Sequence, residues 1–67
     1  MENWQNRVVV EEQELDRKLR NLLSFIERGA GDKFVALPLE EQLRLSKQSH
    51  IMQDYSDILD KRIKAFK

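Results

Sequence analysis

The segment Gly29-Ala30-Gly31-Asp32-Lys33-Phe34-Val35-Ala36-Leu37-Pro38 holds both glycines and the one proline of a 67-residue chain. Helix breakers are thus confined to a single window. On either side Glu, Leu, Lys, Arg and Gln dominate, all good helix formers. The sequence predicts one helix over about 2–29, a connection over about 30–37 and a second helix over about 38–66. Gly29 suits the position just past the first helix, where a left-handed residue satisfies the last carbonyls. Pro38 suits the first turn of the second, where its missing N–H loses no hydrogen bond. Glu40 and Glu41 follow it, where negative charge complements the helix N-terminus. The expected fold class is all-α: one domain over 1–67, an antiparallel two-helix hairpin that assembles into a homo-oligomeric helical bundle. Each helix would run about 42 Å at 1.5 Å per residue, long for so short a chain and suited to a coiled-coil arrangement.

Hydrophobic periodicity gives the register. The first helix carries Val8, Leu15, Leu19, Leu22 and Ile26 on one stripe; the second carries Leu45, Met52, Tyr55, Leu59, Ile63 and Phe66. Glu12, Gln48 and Arg62 fall on or beside these stripes. In an antiparallel pair, facing residues have a nearly constant sum of numbers. Ile26 with Leu45, Leu22 with Gln48, Leu19 with Met52, Leu15 with Tyr55 and Glu12 with Leu59 all sum to 70 or 71. The same register sets Val8 against Arg62 or Ile63, and Trp4 against Phe66, and its midpoint falls inside the connection. The charges agree. Acids at 11, 12, 14 and 16 lie beside the basic tail Lys61, Arg62, Lys64 and Lys67. Glu14–Lys18, Asp16–Arg20, Asp57–Lys61 and Asp60–Lys64 are i,i+4 pairs with the acid first, each worth about 0.2–0.5 kcal/mol.

A two-helix hairpin buries one stripe of each helix and leaves the other faces wet, so a chain this small gains little core. The sequence supplies more apolar surface. Val9 and Leu23 lie off the first stripe of helix one. Ile51, Ile58 and Ala65 repeat every seven residues on helix two, and Leu39 and Leu43 extend apolar surface toward the bend. Self-association through Val9, Leu23, Ile51, Ile58 and Ala65 is expected, with a dimeric four-helix bundle the simplest closed solution.

Composition excludes several function classes. Twelve Lys+Arg cancel twelve Asp+Glu, which argues against binding to nucleic acid or a membrane surface through a general basic excess. The chain has no cysteine, so disulfides and thiolate metal sites are excluded. The longest apolar run is Val8-Val9-Val10; no bilayer span is expected, and Met1-Glu2-Asn3-Trp4 does not read as a signal peptide.

Little in the sequence points to catalysis. His50 is the single histidine; with Asp54 at i,i+4 it offers two ligands, too few for a metal site without symmetry. No Ser-His-Asp or Cys-His set is available. Glu11 and Glu12 sit among basic groups, as an ion-pair network would. Gly29-Ala30-Gly31-Asp32-Lys33 lacks the length and preceding strand of a phosphate-binding loop. No enzymatic activity and no cofactor are expected. The polar residues in the stripe have two readings. Glu12, Gln48 and Arg62 would fix register and partner number, or would converge as a ligand pocket between helices. Tyr55 and Trp4 would pack, or would stack on a base. Arg7 and Lys18 at the stripe edge would be surface charge, or would meet phosphate.

Several elements recur in a known pattern: Trp4-Gln5-x-Arg7-Val8, Glu11-Glu12-x-Glu14-Leu15, Lys18-Leu19, Leu22 and Phe25-Ile26, followed by Phe34, Leu37, Gln48, Met52, Tyr55-Ser56, Ile58-Leu59 and Arg62-Ile63. In order and spacing, over essentially the whole chain, this resembles a family of short tailed-phage accessory proteins first catalogued through crAss-like phages. Arg44-Leu45-Ser46-Lys47 is less apolar than that pattern. The resemblance implies a phage accessory protein acting in the host cytoplasm, and it transfers no activity and no functional residues. By analogy with small phage proteins that antagonise host defence, the expected role is non-enzymatic sequestration of a nucleotide immune signal. A cyclic nucleotide would be held at a subunit interface. Arg7, Lys18 or Arg62 would meet its phosphates, Tyr55 or Trp4 would stack, and Gln48 would read a base edge. The alternatives are an inhibitor that binds a host defence protein directly, through the Ile51/Ile58/Ala65 stripe or the acidic faces, and a structural or regulatory phage module.

Overall fold

The computed structural model describes residues 2–28 and 33–66 of the chain, with the Arg28 side chain left aside. Two helices, α1 (Asn3–Arg28) and α2 (Leu39–Lys64), pack against each other as a hairpin. The molecule measures 47 × 18 × 14 Å, little longer than one 26-residue helix at about 39 Å. The roles expected of Gly29 and of the Gly29–Asp32 turn lie outside the described residues.

Helix ends follow local hydrogen bonding. At the start of α1, the Gln5 side-chain oxygen accepts from the Glu2 N–H at 2.8 Å, one half of a capping box. Pro38 precedes α2 rather than opening it: its ψ of 147° is extended, and its carbonyl accepts from the N–H groups of Glu41 and Gln42. Gln42 then reaches back and donates from its side chain to the carbonyls of Leu37 (2.9 Å) and Val35 (3.3 Å), tying the connection to the first turn of α2. The last turn stops two residues before the expected end. Ala65 N–H bonds both Lys61 and Arg62 carbonyls and Phe66 N–H bonds that of Ile63, a tightened closing turn. Lys61, Arg62 and Lys64 sit there, where positive charge complements the helix C-terminus.

The core is a single seam. Val8, Leu19 and Leu59 are buried. On α1 the seam runs Gln5, Val8, Glu12, Leu15, Leu19, Leu22, Ile26, alternating steps of three and four, and every member is buried or half-buried. On α2 it runs Leu45, Ser49, Met52, Ser56, Leu59, Ile63, Phe66. This corrects the expected stripe of α2. Gln48, Tyr55 and Arg62 are exposed, and the buried serines Ser49 and Ser56 join the expected Ile63 in those layers. The row Leu45, Met52, Leu59, Phe66 is as expected; the helix is turned so that the small side chains face α1. Serine is small enough to fit between two closely packed helices, and its hydroxyl is satisfied locally. Ser49 Oγ donates to the Ser46 carbonyl at 2.6 Å, the back-bonding open to a helical serine. Ser56 Oγ donates across the seam to Glu12 Oε1 at 3.4 Å.

Two contacts fix the register. Trp4 meets Phe66 edge-on, ring centroids 5.1 Å apart, as the sequence predicts. The Glu12–Ser56 bond lies one turn from the expected Glu12–Leu59 layer. At the other end Phe34 of the connection packs edge-on against Phe25, 5.9 Å between centroids. Among the described residues the ion pairs join residues of one helix: Asp16–Arg20, Glu41–Arg44 and Asp60–Lys64. The expected pairs Glu14–Lys18 and Asp57–Lys61 are not formed, nor is any between the α1 acids and Lys61, Arg62 or Lys64. Asp57 accepts instead from the Gln53 amide.

Candidate functional site

Rotation of α2 moves its candidate ligand residues out of the seam and onto its rim. Gln48, Tyr55 and Arg62 are seven residues apart, so they form one row along α2 beside the seam. Trp4 and Lys18, with Glu11 and Phe25, form the corresponding row on α1. In an antiparallel pair these two rows border the same edge of the seam. Five of the six residues expected to hold a ligand therefore share one edge of the hairpin, and all five are exposed. Tyr55 is 43% exposed, its ring partly covered and partly free. Gln48 donates from Nε2 to Met52 Sδ at 3.7 Å. Arg62 and Lys18 take part in no ion pair among the described residues.

Arg7 lies one row further out on α1. With Glu2, Asn3 and Trp4 it lines an open depression at the N-terminal end of α1. It also borders a second one formed by Asn6, Val10, Glu11 and Glu14. The structure thus brings Arg7 and Trp4 together. It also surrounds Arg7 with Glu2, Glu11 and Glu14, which oppose an anion there. Lys18, Tyr55 and Arg62 lie apart from both depressions.

The residues expected to mediate assembly separate into two sets. Ile51, Ile58 and Ala65 are exposed and lie next to the Gln48/Tyr55/Arg62 row. Val9 and Leu23 are half-buried and lie along the opposite edge. Val35, Leu39 and Leu43 form a further exposed apolar group near the bend.

The sequence pattern had hidden Ser49, Ser56 and the Glu12–Ser56 bond, because two small polar residues do not announce a core. The detectable signal was their spacing: Ser49, Ser56 and Ile63 repeat every seven residues in step with Leu45, Met52 and Leu59. His50 and Asp54 are both exposed, and no group of three or more His, Asp or Glu is gathered to hold a metal among the described residues. At the end of α2 Asp60 accepts from Lys64 Nζ at 2.9 Å; that hydrogen bond, helped by the carboxylate charge, raises the Lys64 pKa.

This edge of the hairpin combines an exposed aromatic ring, an amide and two cations. A family model described as Sequestin matches residues 2–65. The chain belongs to the Sequestin family. The name denotes sequestration, a binding role rather than a catalytic one. No curated protein and no solved structure matches the chain. No helix of this Sequestin, among the described residues, is long and apolar enough to cross a membrane.

Proposed function

We propose that this Sequestin is a phage-encoded, non-enzymatic anti-defence protein that acts in the host cytoplasm and sequesters a nucleotide immune signal in an oligomeric helical bundle. One observation carries the reading: Tyr55, Gln48, Arg62, Lys18 and Trp4 line the same open edge of the hairpin. An exposed aromatic ring stacks on a base whatever its identity. The amide of Gln48 reads a base edge, and the guanidinium of Arg62 takes phosphate oxygens in a bidentate grip. Lys18 adds a second cation. Small-molecule sites bury most of their ligand, and a single open edge does not. Retention of the ligand therefore calls for a second subunit over it.

Isothermal titration calorimetry with a panel of cyclic di- and trinucleotides tests the proposal. Sequestration predicts saturable binding by the wild type and at least about fivefold weaker binding by Tyr55→Ala, where stacking of about 1–3 kcal/mol is lost. Unchanged affinity in Tyr55→Ala, Arg62→Ala and Gln48→Ala would remove this edge from the binding site.

The exposure of Ile51 and Ile58 favours a second reading, an inhibitor that docks directly on a host defence effector. It predicts no small-molecule ligand and a stable complex with a host protein.

A further inference from the structure

Besides the seam that packs on α1, α2 carries a second one. Arg44, Gln48, Ile51, Tyr55, Ile58, Arg62 and Ala65 alternate steps of four and three, the spacing by which one helix packs along another. All seven are exposed. The middle of this seam is apolar, with Ile51 57% and Ile58 56% exposed on either side of Tyr55. The row beside it reads Glu40, Lys47, Asp54, Lys61, again seven residues apart. These four are exposed, and none joins an ion pair among the described residues.

We propose that this face of α2 packs antiparallel against the same face of a second copy of the chain. The charge row decides both the partner and the direction. Its signs run minus, plus, minus, plus, so the row reversed is its own complement. An antiparallel copy sets Glu40 against Lys61 and Lys47 against Asp54, each twice by symmetry. A parallel two-fold copy puts the two charge rows on opposite sides of the interface, where they cannot pair with each other. The midpoint of the row falls beside Ile51, so the two-fold axis crosses the seam there: the two copies of Ile51 meet near the axis, and Ile58 lies toward Leu43 and Arg44 of the second copy. Such an interface is isologous and closes on itself. It deepens the sequestration reading by naming the second subunit: Gln48, Tyr55 and Arg62 belong to this seam, so a ligand held there is lined from both copies. The interface itself needs no ligand.

Sedimentation analysis of the full 8.0 kDa chain, without nucleotide, tests it. The wild type is expected as a dimer or an even multiple of one. Ile51→Asp should weaken association by about a hundredfold or more, since a charge then sits in a desolvated centre. Lys47→Glu should weaken it about tenfold, through two lost pairs and two like-charge contacts. Adding Asp54→Lys to Lys47→Glu restores complementarity only in the antiparallel arrangement, and should bring association back to within about threefold of wild type. Circular dichroism checks that each variant keeps its helices, which is expected because all three positions are exposed. A monomeric or trimeric wild type, or a double variant as weak as Lys47→Glu alone, overturns the interface. The two proposals fail separately. A dimer that takes up no nucleotide contradicts sequestration and leaves the interface standing, whereas an oligomer that binds nucleotide and is unaffected by Ile51→Asp and Lys47→Glu contradicts the interface and leaves sequestration standing.

Discussion

Leu59 has no exposed surface, and a hairpin of two helices has no third element to fill the space its side chain leaves. Leu59→Ala should therefore cost about 2–5 kcal/mol, read as a lower midpoint in urea with little change in slope. Tyr55→Ala, on the rim, should stay within about 0.5 kcal/mol of wild type in the absence of association. A larger loss for Tyr55→Ala than for Leu59→Ala would mean that α2 presents the other row to α1. Ser56 makes a second contrast. Ser56→Ala gives up the bond to Glu12, about 0.5–1.5 kcal/mol. Ser56→Leu forces a large side chain into a closed layer and should cost more, about 1–3 kcal/mol through overpacking. A stabilising Ser56→Leu would show that the serine layer is loosely packed. Nothing at Ser56 in the bare sequence marks it as core, since its hydroxyl is polar and its partner Glu12 is charged. Hydropathy favours Tyr55 next door, and only the distance to Ser49 and Ile63 reveals the alternative.

At the scale of elements the two helices differ in how far their sequences settle their orientation. α1 has one dominant apolar stripe, and Val8, Glu12, Leu15, Leu19, Leu22 and Ile26 all face the partner as the spacing predicts. α2 has two stripes at the same heptad spacing, separated by one row. Tyr55 can be assigned to either, and the choice turns on packing volume, which the sequence does not display. Termini were legible where a backbone rule applies and less so elsewhere. Pro38 marks the start of α2 to within one residue, whereas nothing between Ile63 and Phe66 forbids helix and only the tightened last turn ends it. The Gln42 amide, which caps the carbonyls of Leu37 and Val35, was not foreseeable from pattern. Gln42→Ala should cost about 1 kcal/mol and loosen the junction locally. Hydrogen exchange should then speed up for amides near the start of α2 while those around Leu19 and Leu59 stay protected. Uniform acceleration along both helices would mean that this junction is part of the global unfolding unit.

Taken whole, the molecule is a rod 47 Å long with three buried hydrophobic residues, Val8, Leu19 and Leu59, among those described, and several large apolar ones in water. That balance favours a partner, and the alternating charges beside Ile51 point to a second copy. The candidate binding residues were legible as residue types and not as a place. The sequence set Gln48, Tyr55 and Arg62 inside the seam of one hairpin, while the fold sets them on an outer edge with Lys18 and Trp4, next to the Ile51/Ile58 face. The proposed ligand site at a subunit interface therefore rests on this outer edge and not on the inner seam. Native mass spectrometry of the wild type, Tyr55→Ala and Arg62→Ala, each with a panel of cyclic di- and trinucleotides, tests sequestration most directly. The expected result is an oligomer of wild type carrying discrete ligand mass, at a stoichiometry set by its interfaces, and variants that carry no ligand mass in whatever oligomer they retain. Wild-type oligomers that stay empty across the panel, or variants that load as the wild type does, would contradict it.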